Sequence, residues 1–220
     1  MSNSEMVIHR IAQEETYDWL LNKHYAKRIP SITYAFGLYR DRELIGVVTY
    51  GKPPSPPLCR GVCGDEWSDA VYELNRLCLL ENGKNQASMI VGGSLRLLDK
   101  PKIIVSYADT SMKHSGFVYQ ATNFIYTGLS EKRTEWREIG SDKHSKTVCD
   151  QTTLEERVSQ PDKSHLLERP RKHRYIYFCG SKKQKRQMMN DLKYKVYPYP
   201  KADLHYYDSS AEVPTQMIMF

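Results

Sequence analysis

Cysteine is scarce in this chain. The five present, Cys59, Cys63, Cys78, Cys149 and Cys179, are an odd number without paired zinc spacing. Cys59-x-x-x-Cys63 has no second Cys-x-x-Cys or His-x-x-x-His to complete it, so reduced thiols are expected rather than structural zinc. Long apolar runs are missing too. Nothing approaches the roughly eighteen apolar residues of a membrane span. The first residues have neither a basic region nor an apolar core, so a secretory leader is not expected and the cytoplasm is. There are no internal repeats. Acids are missing from one region above all. Asp191 is the only one between Arg169 and Lys201, against Arg169, Arg171, Lys172, Arg174, Lys182, Lys183, Lys185, Arg186, Lys193, Lys195 and Lys201. Charge runs usually form a solvated face. Here Tyr175, Tyr177, Phe178, Tyr194, Tyr197 and Tyr199 interleave with the cations, in a chain of net charge +6. That combination points to a polyanion, most often nucleic acid, whose bases the aromatics could stack.

What is present suits one domain over 1–203, with an irregular polar insertion at 138–168, a basic nucleic-acid-binding segment at 169–201 and a tail at 204–220. Most aliphatic residues lie in 1–138. Residues 7–28 read as strand, turn and helix, with Tyr17, Leu20, Leu21, His24 and Tyr25 on one helical face. Segments 34–39 and 43–50 read as a hairpin. The Pro-rich stretch from 51 to about 69 reads as a stiff loop. Strands are predicted at 71–80, 102–107, 124–129 and 175–178. Helices are predicted at 86–98, 115–123 and 182–192, and extended chain at 195–200. This order implies α/β architecture with a mixed sheet flanked by helices. It resembles the GNAT acyltransferase fold. That resemblance implies a pyrophosphate docked on the helix N-terminus at 82–87. The superfamily's usual Gln/Arg-x-x-Gly-x-Gly/Ala loop is absent there.

The most informative stretch is Ile103-Ile104-Val105-Ser106-Tyr107-Ala108-Asp109-Thr110. A buried strand ends in an aspartate and hydroxyls, at the place where α/β proteins meet their ligands. Asp109 could instead cap the next turn through Thr110 and Ser111. Ser106 and Tyr107 point to opposite faces, so at most one faces a site. Tyr119 lies on the following helix. Arg76 sits in a leucine-rich strand, where an arginine needs a partner. It shares a face with Glu73 only if a bulge intervenes. Gly92-Gly93-Ser94 marks either close helix packing or a donor pocket.

Five pieces together resemble the Mom family of phage DNA-modification proteins: His24-Tyr25; Glu73-Leu74-Asn75-Arg76-Leu77; Val105-Ser106-Tyr107-Ala108-Asp109-Thr110; Tyr119-Gln120-Ala121-Thr122-Asn123-Phe124-Ile125-Tyr126; and Lys195-Val196-Tyr197-Pro198-Tyr199-Pro200-Lys201. The resemblance implies transfer of a carbamoylmethyl-type group to N6 of adenine in DNA, which protects phage DNA from host restriction. It implies Asp109, Tyr119, His24 and Tyr25 as catalytic residues, and Arg76, Ser94, Ser106, Tyr107 and Asn123 as substrate or donor contacts. Arg171, Lys172, Arg174, Lys182, Lys183, Lys185 and Arg186 would contact DNA. An acyl donor, either an aminoacyl-tRNA or acetyl-CoA, is implied, with tRNA as a further partner. So is a metal such as iron between His24 and Asp109. The N6 lone pair is delocalised into the ring and lies inside the duplex. The chemistry therefore needs base extrusion, a proton acceptor and oxyanion donors. Two other readings fit the composition: a GNAT-like N-acyltransferase on a small-molecule, protein or RNA amine, and a non-catalytic DNA-binding protein.

Overall fold

The computed structural model describes residues 6–200 other than 82, 142 and 144. The predicted tail and Lys201 lie outside the described residues. The chain divides into two compact units, one of residues 1–128 with 173–220 and one of 129–172.

The first unit is built on a seven-stranded mixed sheet flanked by helices, as the alternation of predicted strands and helices implied. Its strands are β1 (Met6–Arg10), β2 (Tyr34–Arg40), β3 (Glu43–Gly51), β4 (Val71–Leu79), β5 (Lys102–Asp109), β6 (Ile125–Leu129) and β9 (Lys172–Cys179), in the order β1-β2-β3-β4-β5-β9-β6. The first four pair antiparallel, and β4 pairs β5 in parallel. The β2–β3 hairpin is the predicted one. Arg40 pairs with Glu43, and Asp41 and Arg42 turn the chain at positive φ.

Helices α1 (Pro56–Cys63), α2 (Gln86–Leu97), α3 (Phe117–Ala121) and α6 (Lys182–Asp191) flank this sheet. The main core lies under α2 and α3 and includes Phe36, Tyr50, Ile90, Ile104, Phe124 and Tyr175, each fully buried. A second cluster on α1 and α6 includes Trp67, Ile103, Ile176 and Met188. A third joins Trp19, Leu20, Val47 and Cys78.

Three local expectations are corrected. The Pro-rich stretch is not loop throughout. Ser55 caps α1 by accepting the Leu58 N–H, and the prolines sit in the first turn, where a missing N–H costs nothing. The first predicted helix is a 3-10 turn at Gln13–Thr16 and a short π segment at Trp19–Lys23. His24 is already extended, so helical periodicity does not set its direction. The stretch expected to be irregular, 138–168, carries most of the second unit's secondary structure. That unit holds the antiparallel pair β7 (Arg133–Glu138) and β8 (Ser164–Arg169), with α4 (Ser145–Gln151) and α5 (Leu154–Ser159) between them in sequence. Thr153 and Glu156 form a reciprocal capping box that starts α5.

Candidate active site

The parallel pairing of β4 and β5 is short. It runs from Val71 opposite Ile103 to Glu73 opposite Val105 and then stops. Beyond that point the two strands part. Ser106 marks the fork, donating its hydroxyl to the Leu74 carbonyl at 3.0 Å. The parting of the two strands leaves a cleft toward their carboxyl ends.

A bulge in β4 decides what faces this cleft. Tyr50 pairs with Leu74 but Thr49 pairs with Arg76, so Asn75 is the extra residue. Asn75 is held there by two bonds. Its carbonyl oxygen accepts the Thr49 hydroxyl at 2.6 Å, and its amide donates to the Ser31 carbonyl at 2.8 Å. The extra residue reverses the alternation. Leu77 and Leu79 therefore stay in the main core with Tyr72 and Leu74. Arg76 moves to the opposite face, which Glu73 shares. The bulge that would put Arg76 on the face of Glu73 is present.

Around the fork the structure gathers most of the residues that the sequence singled out. Ser106 and Tyr119 come from the α2 side of the sheet and lie beside each other. Burial pushes the Tyr119 phenol up to about 12, with the neighbouring Ser106 hydroxyl opposing. Tyr119 is thus a neutral hydrogen-bond donor at neutral pH. Tyr107 points to the other face, against the second core cluster.

From the opposite face come Arg76, Tyr25, His24 and Asp109. Burial raises the Tyr25 phenol, the Asp109 carboxylate raises it further and the Arg76 guanidinium opposes both. These three side chains therefore share one electrostatic neighbourhood. The rings of His24 and Tyr25 stack with centroids 4.4 Å apart. His24 is buried, and its Nδ1 accepts the Ala26 N–H at 3.0 Å. Burial, then the charges of Arg76 and His114, push its imidazole down to about 3. His24 is a fixed neutral ring, which suits packing and positioning better than proton shuttling.

Asp109 does cap the following turn. Its Oδ1 accepts the Ser111 N–H at 3.0 Å and the Ser111 hydroxyl at 2.6 Å. Both of these capping bonds fall on Oδ1. The turn closes as His114 donates its N–H to the Asp109 carbonyl at 3.1 Å. Sequence reasoning missed His114. The one signal for it was a titratable side chain five residues past the strand-end aspartate.

Two predicted contacts serve the fold. Ser94 is fully buried, bonds the Tyr50 hydroxyl at 2.7 Å and donates to the Val91 carbonyl. A side chain at the neighbouring Gly93 would run into Ile8. The small residues of α2 therefore serve close packing rather than a donor pocket. Asn123 is exposed, with φ 60°, where it turns the chain from α3 into β6.

The expected cations also divide. Arg174 donates to the Thr127 side chain and carbonyl and lies 3.4 Å over the Tyr194 ring. Arg171 donates to the carbonyls of Ser130 and Leu129. The Lys172 backbone N–H donates to Ser130 Oγ. Lys182, Lys183, Lys185 and Arg186 stand exposed on α6. The predicted aromatic segment straps the β6 edge. The Tyr197 N–H donates to the Tyr126 carbonyl, and the Tyr199 hydroxyl to the Phe124 carbonyl.

For a phosphate-bearing donor, the fitting groups are at the start of α2. Helix geometry leaves first-turn N–H groups without intrahelical partners. That turn carries no acid, and Lys84 precedes it. The Gln86 amide is buried against Gly83, with its Oε1 unbonded. A metal has less support. Among the described residues no three His, Cys, Asp or Glu side chains converge to hold one. The iron expected between His24 and Asp109 therefore has no ligand set there.

The model of the Mom protein family matches residues 5–201. The chain belongs to the Mom protein family. A curated relative, methylcarbamoylase mom of Escherichia phage Mu, is 28% identical over 188 residues, covering 81% of this chain and 77% of the relative. Among solved structures, a probable acetyltransferase from Staphylococcus epidermidis superposes with a TM-score of 0.46 at 10% identity, covering 79% of this chain and 99% of that one. An aminoglycoside N(6')acetyltransferase from Legionella pneumophila gives 0.45 at 9% identity, covering 85% and 98%. A Bacillus subtilis acetyltransferase in complex with CoA gives 0.42 at 13%, covering 80% and 99%. Among the described residues no helix is long and apolar enough to cross a membrane.

Proposed function

We propose that this Mom-family chain is a DNA-modifying transferase that places a carbamoylmethyl-type group on N6 of adenine and so shields phage DNA from restriction in the host cytoplasm. The observation that carries the reading is the convergence of Arg76, Tyr25, His24, Asp109, Ser106 and Tyr119 at the β4–β5 fork. The name of the phage Mu relative supports the group transferred.

In the acyl step N6 bonds to the donor's carbonyl carbon and the donor's C–O or C–S bond breaks. N6 loses a proton and the leaving group gains one. Asp109, anchored through Oδ1, accepts the amine proton. Tyr119, beside Ser106, donates to the developing oxyanion or to the leaving group. Arg76 binds phosphate of donor or DNA. His24 and Tyr25 form the stacked wall against which the extruded base is held.

The donor is an aminoacyl-tRNA or an acyl-CoA. Either supplies an activated carbonyl when bound, and Lys84 with the first turn of α2 would hold its phosphate. A glycyl group is an isomer of a carbamoylmethyl group: attack of its amino nitrogen on adenine C6 forms a new C–N bond, breaks the original C6–N6 bond and leaves that nitrogen as the amide, with no atom gained or lost. Acetyl lacks the nitrogen, so we favour the aminoacyl donor. The test is mass spectrometry of nucleosides from plasmid DNA of expressing cells fed isotopically labelled glycine or acetate. A modified adenosine carrying the glycine label is expected. Unmodified DNA in the presence of soluble protein would overturn the function. Acetate label alone would overturn the aminoacyl donor.

A further inference from the structure

We propose that the sheet end remote from the fork carries a second DNA-contacting surface, formed by Arg10, Lys52, Arg96, Lys100, Lys102 and Lys185, which grips the phosphate backbone of the duplex. The surface deepens the reading of DNA as substrate and rests on it.

Strand register brings these cations to one end of the first unit. Arg10, the last residue of β1, pairs with Phe36 near the start of β2. Tyr34, at that start, pairs with Tyr50 near the end of β3, and Lys52 follows β3 directly. Gly51 pairs with Glu73 at the start of β4, whose Tyr72 pairs with Ile104 at the start of β5, beside Lys102. Cys179, the last residue of β9, lies in the field of Lys100, Lys102 and Lys185. Arg96 is in the last turn of α2, which leads to this end. Lys102 and Asp109 stand about 23 Å apart along β5, so this surface is separate from the cleft.

The cations are spread over tyrosine rings. The ammonium groups of Lys52 and Lys102 lie 4.3 and 5.3 Å from the centroid of Tyr72. Arg10 lies 5.0 Å from that of Tyr34, and Lys185 5.4 Å from that of Tyr177. Among the described residues none of the six has a carboxylate within 4.0 Å. The carboxylate of Asp99 accepts the Tyr34 hydroxyl instead. All six are exposed or half-exposed. Supported cations without internal counter-charges suit a polyanion. The ring faces are covered by ammonium and guanidinium groups, so they do not offer the open stacking platforms that single strands use. Backbone contact with a duplex is the mode that fits.

The test is fluorescence anisotropy of the full chain with a labelled 20-base-pair duplex over a salt series. A Lys52→Gln/Lys102→Gln/Lys185→Gln variant should bind at least tenfold more weakly at moderate salt. Its log–log salt slope should fall by about 2.7, the value for three phosphates no longer neutralised. Arg96→Gln/Lys100→Gln should act in the same direction, with a fall of about 1.8 for two phosphates. Unfolding curves confirm that both variants fold. Wild-type affinity and slope in both variants would overturn the surface. Preference for single-stranded DNA or RNA with the same charge dependence would overturn the duplex assignment. If wild-type protein never modifies adenine while the lysine variants still lose duplex affinity, the surface stands and the transferase reading fails.

Discussion

Tyr119→Phe removes one oxygen and little else. The ring keeps its packing against Phe124 and Tyr175, whose centroids lie 5.3 and 5.2 Å away. Ser106 keeps its own bond to the Leu74 carbonyl, so no buried donor is orphaned. What is lost from the fold is at most one neutral hydrogen bond, worth about 1 kcal/mol net. For a chain of this size that is a fall of roughly 2–4 °C in Tm. The catalytic role predicts a much larger number. A preorganised donor aimed at developing charge contributes on the order of 3–4 kcal/mol, or 10²–10³ in kcat. The two effects are separable because the fold argument cannot supply the second. The assay follows formation of modified adenosine by mass spectrometry under saturating DNA, with thermal unfolding in parallel. The expected result is a small loss of stability with at least a hundredfold loss of kcat. In wild type the Tyr119 phenol is raised to about 12, so its ionisation should leave no limb in the rate profile below about pH 10. A kcat within threefold of wild type in a folded variant would refute the role.

Asp109→Asn keeps an oxygen to accept from Ser111, so it should cost less than about 1 kcal/mol in urea unfolding while lowering the modification rate at least a hundredfold; Asp109→Ala should add a capping loss of about 1 kcal/mol. His24 gives the chain an acid-sensitive contribution. Its folded pKa of about 3 lies below the unfolded 6.5, so the stability it confers is full above pH 6.5 and lost as pH falls toward 3. Between pH 7 and 5 wild type should lose about 2 kcal/mol from this group, and His24→Phe should flatten the urea-derived stability profile over that interval. Ser94→Ala should strand the buried Tyr50 hydroxyl, costing about 1–3 kcal/mol of stability without changing KM for the donor; a selective rise in KM would restore Ser94 to a donor pocket.

Strong local signals read correctly from the chain. The hairpin turn at Asp41–Arg42, the buried strand before Asp109 and the basic helix after Ser181 all follow from short-range chemistry. That helix starts with a Ser181/Gln184 capping box, visible as Ser-x-x-Gln. The Thr153/Glu156 box carries the same signal, but the region around it lacks the apolar periodicity that would mark a helix. Its α5 leaves Leu154 and Val158 exposed, so burial never imposed a pattern on it. Pro56 and Pro57 read as helix breakers, although the preceding Ser55 makes them first-turn residues. His24 and Tyr25 fit a helical face by spacing alone, but the chain leaves helical geometry at His24. Their place in the site depends on Arg76 and Asp109, far along the chain. The proximity of His114 to His24 is equally non-local, and no window of sequence contains both.

The Asn75 bulge shows how one residue shapes the candidate site. Without it, strict alternation would turn Arg76 toward the core with Leu74, and Leu77 and Leu79 away from it. Burying that guanidinium among leucines would cost several kcal/mol unless it were paired. With the bulge, the leucines stay in the core and Arg76 reaches the face occupied by His24 and Tyr25. The same residue ties the approach to β2, because its amide holds the Ser31 carbonyl where Gly51 leaves room for close passage. Its position also matters. The bulge falls just past Glu73, the last residue of β4 that pairs with β5. The change of face in one strand and the parting of the two strands therefore occur together. A generic α/β strand end thereby becomes a cleft with a cation, a carboxylate and neutral phenols on its walls.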